Sequence, residues 1–258
     1  MRGRTILIST FAVLAVVSVA VATAGAGDPR RTADVTPERA AEIARSIPGA
    51  PVGSRADVRG PIPGVYHNAY SVSYDDMEAL VDVKTGGVIS VAWPRRMPST
   101  TEVSIGEDAA TQAAESLLRG LSIEARGSRS VQVLDHGSVV EYVIEWRLTD
   151  AAGVRLPHHT VVRVNAATAE VFSVLHLERS YTPPAAAVVS REQAERIARE
   201  ASGLAHVTDA FLHVRFDDLG TQRTAWRVNL VSSTSPDDYV SARSVLVDAS
   251  TGETIAEP

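Results

Sequence analysis

One turn-forming segment occurs three times in this chain at a constant interval, and any fold must accommodate it. Val81-Asp82-Val83-Lys84-Thr85-Gly86-Gly87 recurs as Val164-Asn165-Ala166-Ala167-Thr168-Ala169-Glu170 and as Val247-Asp248-Ala249-Ser250-Thr251-Gly252-Glu253. The intervals are 164 − 81 = 83 and 247 − 164 = 83 residues. Each copy reads as a strand end, a tight turn and the start of the next strand. The Asp or Asn side chain can bond its own backbone there, and glycine takes positive φ at low cost. Ala169 stands where the other copies have glycine, so a different turn conformation is expected in the middle copy. A fixed period of this kind points to internal repetition.

A helix pattern precedes each turn. Thr36-Pro37-Glu38 supplies an N-cap, a first-turn proline and an acid at the positive helix end. Ala40, Ile43, Ala44 and Ile47 follow at helical spacing, and Pro48-Gly49 stops the run. Ser104-Ile105-Gly106-Glu107 and Ser190-Arg191-Glu192-Gln193 both fit a capping box. The second helix carries Ala110, Ala113, Ala114, Leu117 and Leu118 and ends at Gly120. The third carries Ala194, Ile197, Ala198 and Ala201 and ends at Gly203. Residues 51–64 are rich in Pro and Gly and read as a loop. Strand patterns lie around Tyr66–Tyr74, 79–83, 88–93, 130–134, 139–148, 160–164, 170–175, 210–216, 226–231 and 244–247.

The expected fold class is therefore α+β: three tandem units, each one helix packed on a small antiparallel sheet. The expected boundaries are 36–93, 104–180 and 189–258, with linkers at 94–103 and 181–188. Units this small are near the lower limit for a lone core, so docking between them is expected.

Residues 1–27 have the pattern of an export signal. Arg2 and Arg4 precede an uncharged run, Thr5–Gly27, and Ala22-Thr23-Ala24 and Ala24-Gly25-Ala26 fit small-x-small cleavage sites. The small-residue end favours cleavage. The run, at about 20 residues, would also span a bilayer if retained. In either case residues 28–35 form a polar tether and the remainder is expected outside the cytoplasm.

Net charge is −6, or −8 once Arg2 and Arg4 are removed, which gives no electrostatic reason to bind nucleic acid. Membrane contact is expected only through residues 5–27, if uncleaved. With no cysteine, disulfides, thiolate metal sites and cysteine nucleophiles are excluded. His-Glu-x-x-His, Gly-x-Ser-x-Gly and Gly-x-x-x-x-Gly-Lys are all absent.

The seven histidines are scattered, and only His158-His159 are adjacent. On a strand they would face opposite ways; on a loop behind Pro157 they could share a metal, although such sites want three or four ligands. Asp75-Asp76, Asp217-Asp218 and Asp237-Asp238 lie beside turn formers and read as turn residues rather than calcium ligands. No cofactor, metal or catalytic residue is expected. Tyr70, Trp146 and Trp226 form the candidate binding set; the alternative is that they seal each helix to its sheet.

The capped helix with its Ala-x-x-Ile/Leu-Ala face, an aromatic strand position (Tyr70-Ser71-Val72, Trp146-Arg147-Leu148, Trp226-Arg227-Val228) and Val-Asp-x-x-Thr-Gly together resemble the PepSY domain. The likeness is strongest in the third unit; the second departs at Asn165 and Ala169. PepSY domains are similar to the pro-regions of secreted thermolysin-like metalloproteases. The resemblance implies a non-catalytic exported protein that binds a protein partner and inhibits or modulates an extracytoplasmic protease. The alternatives are a membrane-anchored sensory or structural module, and an enzyme with an unrecognised site.

Overall fold

The computed structural model describes residues 34–63, 68–99, 101–137, 139–217, 220–234 and 241–256. The export segment, Tyr66, His67, Asp218 and Asp237-Asp238 lie outside the described residues.

Among the described residues, three α-helices form where small residues recur at helical spacing: α1 Pro37–Arg45, α2 Glu107–Gly120 and α3 Arg191–Ser202. Each buries alanines four apart: Ala40 and Ala44, Ala110 and Ala114, Ala194 and Ala198, all fully buried. Residues i and i+4 share a helix face, and a methyl side chain lets that face lie close to a sheet. Thr36 accepts from the Arg39 amide at 3.3 Å at the start of α1. Ser190 and Gln193 form a reciprocal capping box on α3, and Gly203, at φ 71°, ends it in the left-handed region.

The α2 start differs from the expected one. Its N-cap is Gly106, without a side-chain hydrogen bond, and Ser104 Oγ donates instead to Glu102. The backbone amides of Ser104 and Ile105 are both held by the Ala166 carbonyl, at 3.0 and 3.2 Å. That anchoring sets the helix start two residues downstream of the sequence signal.

Four strands follow each helix: β1 Asp57–Ile62, β2 Ala69–Tyr74, β3 Met77–Asp82 and β4 Val88–Ala92; β5 Ser128–Asp135, β6 Val140–Thr149, β7 Arg155–Asn165 and β8 Val171–Glu178; β9 His206–Phe216, β10 Gln222–Val231, β11 Ala242–Asp248 and β12 Thr254–Ile255. The fold is mostly antiparallel α+β. Within the stretch expected to be a loop, Asp57–Ile62 form a strand. Asp57–Arg59 pair in register with Ser71–Ser73, so long-range pairing overrides a Pro- and Gly-rich composition.

The chain divides into two compact units: residues up to Arg147 with His158–Leu177, and Leu148–Pro157 with the chain from Glu178. In the first, the strand order is β1-β2-β3-β4-β8-β7-β6-β5. β4 and β8 pair antiparallel, Ser90 opposite Leu175 and Ala92 opposite Ser173. The first two helix-and-strand segments therefore share one core. Ala40, Val72, Val81 and Trp93 lie in the same apolar cluster as Ala110, Leu118, Ile144 and Val164. In the second unit, β9 to β12 run antiparallel in sequence order, and α3 packs on them over Ala210, Val228, Leu230 and Val247.

The repeated turn has one geometry in all three places. Gly86, Ala169 and Gly252 donate to the carbonyls of Asp82, Asn165 and Asp248 at 2.9, 3.0 and 2.9 Å. The Asp82, Asn165 and Asp248 side chains accept from backbone amides two residues on, at 3.0, 2.9 and 2.8 Å. The different conformation expected of the middle copy is not adopted. Ala169 takes φ 62°, because the flanking ladders fix the turn and alanine is drawn into the left-handed region.

Candidate functional site

Each turn also holds the start of a helix. The carbonyl after the Asp or Asn accepts from the residue preceding the helix cap: Val83 from Val35, Ala166 from Ile105, and Ala249 from Val189. An aromatic side chain closes this arrangement twice. Tyr142 Oη donates to the Ile105 carbonyl, and Trp226 Nε1 to the Val189 carbonyl, both at 2.9 Å.

The backbone around these turns aligns the aromatic positions. Val83, Ala166 and Ala249 donate to the carbonyls of Asn68, Val140 and Thr224, so Tyr70, Tyr142 and Trp226 stand two residues beyond equivalent points. Tyr142, which sequence reasoning missed, holds the position given to Trp146. The hairpins between these strands differ in length, so counting back from the turn does not find it. The missed signal was the apolar alternation Tyr142, Ile144, Trp146 on one strand face.

Tyr70 and Trp146 are buried in the first unit, each 7% exposed; Trp226 is half-buried in the second. Tyr70 on β2 and Trp146 on β6 belong to one apolar cluster of the first unit, and Trp226 lies on β10 of the second.

Two strands of the first unit have an outer side without a partner strand among the described residues: β1 and β5. β1 is interrupted. Its register shifts between Arg59 and Ile62, and Pro61 has no amide to offer. α1 and β1 flank an open groove with Glu38, Glu42, Arg45 and Arg55 on its walls. The helix-terminal amides and the Thr36 hydroxyl hold the Glu38 carboxyl below its usual range.

β5 is uninterrupted. Its eight residues pair one-to-one with β6, from Ser128 opposite Arg147 to Asp135 opposite Val140, with no shift. Arg129, Val131 and Val133 point to the α2 side, opposite Trp146, Ile144 and Tyr142. Val133 is 54% exposed, and Arg129 reaches Glu115 of α2 at 3.1 Å. No proline guards this edge.

Behind β5, the other face of β6 and β7 carries two ionic clusters. Glu141, nearly enclosed, meets His136 at 3.1 Å and Arg163 at 3.4 Å. Glu145 meets His159 at 3.1 Å and also accepts from Arg147 Nε. The His159 hydrogen bond, aided by the Arg147 charge and opposed by partial burial, lowers the Glu145 carboxyl to about 2. His158 and His159 both lie within β7 rather than on a loop, and His159 is committed to this cluster. Among the described residues, no three His, Asp or Glu side chains group as metal ligands. Asp75-Asp76 form the β2–β3 turn, and Asp217 closes a turn onto Gly220 and Thr221.

Residues 188–257 match the PepSY family, described as "Peptidase propeptide and YPEB domain". The fold is similar to that of the Bacillus megaterium YpeB C-terminal domain, at 16% identity and a TM-score of 0.46, over 88% of this chain and all of that one. No curated protein matches the chain.

Proposed function

We propose that this chain, with a PepSY domain at residues 188–257, is a non-catalytic exported binding protein built from three tandem copies of one helix-and-sheet module. It takes an extended segment of an extracytoplasmic protease as an added strand along β5, and so restrains that protease. The observation that carries this reading is the β5 edge, which is eight residues long, in unbroken register and free of proline. A row of unpaired amides and carbonyls is a template for another strand, and proteins that do not use such an edge blunt it. β1 is blunted by a register shift and a proline; β5 has neither, and Arg129 on its inner side is drawn to Glu115. Main-chain hydrogen bonds would supply affinity. Side chains of the captured segment would alternate between the Val131–Val133 side, beside α2, and the Ser130–Gln132 side, before the ionic face.

The family match supports a propeptide-like role, because propeptides hold proteases without turning anything over. Equilibrium binding to a purified secreted zinc metalloprotease, with hydrolysis of a small reporter peptide followed in parallel, tests the reading. Saturable binding with slowed hydrolysis and an intact chain is expected. Rapid digestion of the chain without any slowing of reporter hydrolysis overturns it.

A further inference from the structure

On the face of the second unit's sheet away from α3, strands β9 and β10 place Arg215 directly opposite Arg223. Arg215 is only 8% exposed, and its Nη1 is enclosed without a hydrogen-bond partner among the described residues. A guanidinium stays charged at any accessible pH, so burial cannot be relieved by losing a proton. An enclosed guanidinium N–H with nothing to accept from it is rare in folded proteins and calls for an acceptor. Facing it with a second arginine adds like-charge repulsion, because directly opposed side chains are neighbours across a ladder.

The other arginines on this face have acceptors or aromatic partners. Arg155 stacks 3.4 Å above the Phe211 ring and lies 3.8 Å from Asp209. Arg227 is engaged as well. Arg223 lies in ion-pair range of Asp217 and Asp248, at 3.7 and 3.6 Å, but both contacts are beyond hydrogen-bond range, and its side chain is 46% exposed. Asp248 cannot turn to Arg215 without cost, since its other oxygen caps the Ser250 and Thr251 amides.

We propose that Arg215 and Arg223 form a site for a small oxyanion of the carboxylate or phosphate class. Arg215 supplies the enclosed fork, and the half-exposed Arg223 supplies the side that faces solvent. Two guanidinium forks suit the two or three oxygens of such a group, and its charge cancels the repulsion between them. This site is independent of the β5 edge.

Thermal unfolding of the full chain in an oxyanion-free chloride buffer tests it, with sodium phosphate and sodium acetate titrated at matched ionic strength. The wild-type midpoint is expected to rise by several degrees with one of the two anions beyond the chloride control, and which one responds separates phosphate from carboxylate. Arg215→Met is expected to lose that rise and to unfold no earlier than wild type in chloride alone, since it removes a buried guanidinium N–H left without an acceptor. Arg223→Gln is expected to weaken the apparent affinity about tenfold. If Arg215→Met does not fold, Arg215→Lys and Arg223→Gln carry the same reading. A wild-type midpoint that responds equally to chloride and both oxyanions overturns the site, and so does a rise that survives in the Arg215 variants.

Discussion

The amide of Ala169 donates to the carbonyl of Asn165 at 3.0 Å while Ala169 is held at φ 62°, the closure that Gly86 makes on Asp82 and Gly252 on Asp248. Ala169→Gly should therefore stabilise the protein. The left-handed backbone costs alanine about 1–2 kcal/mol, and the extra freedom of an unfolded glycine offsets roughly 0.5–1 kcal/mol of that. A net gain of about 0.5–1 kcal/mol is expected in urea unfolding. The reverse changes should destabilise unequally. A Cβ at Gly86 would meet Ile43 Cδ1 at 3.1 Å, whereas the nearest atom at Gly252 is 3.5 Å away. Gly86→Ala should lower stability more than Gly252→Ala. Loss of stability in Ala169→Gly would contradict the backbone reading.

The two serines that look alike in sequence should behave differently. Ser190 accepts from the Gln193 amide and caps α3, so Ser190→Ala should cost about 1 kcal/mol. Ser104 caps nothing, and its hydroxyl donates to Glu102 on the surface. Ser104→Ala should change stability by less than about 0.5 kcal/mol. Paired denaturation curves for the two variants check this; equal losses would place the α2 cap at Ser104 after all.

Glu145 should contribute to the acid limb of stability. Its carboxyl is lowered from 4.5 to about 2 in the folded protein, first by the His159 hydrogen bond. A depressed folded value means that the contribution is fully present above about pH 4.5 and disappears as pH falls towards 2. Glu145→Gln should flatten the dependence of the urea midpoint on pH within that window. Curves for variant and wild type that run parallel from pH 4.5 to 2 would show that Glu145 is not the group titrating.

The β5 edge can be closed without disturbing the core. Val133 is 54% exposed, so Val133→Lys should leave stability within about 0.5 kcal/mol of wild type. A charge on the inner side of an edge strand discourages further pairing. Protease binding should weaken by at least about tenfold, roughly 1.4 kcal/mol. Unchanged affinity by calorimetry would move the contact away from β5.

Helix starts and turns were legible in the residues because short-range chemistry decides them. Thr36 and Ser190 cap helices, alanines four apart mark the buried faces, and an Asp or Asn closes each turn on its own backbone. Three features were decided by contacts between residues far apart. Pairing with β2 turned a Pro- and Gly-rich stretch into β1. The Ala166 carbonyl moved the α2 start past Ser104, and fixed ladders drew Ala169 into a conformation alanine avoids alone. The β4–β8 pairing joins the first two helix-and-strand segments around one core, where the sequence led to an expectation of docking between tandem units without saying which strands would meet. Composition and spacing record what a residue prefers within a few positions of itself. Which strand lies beside which, and which edge stays open, depends on burial summed over the whole sheet, and leaves no local period to read.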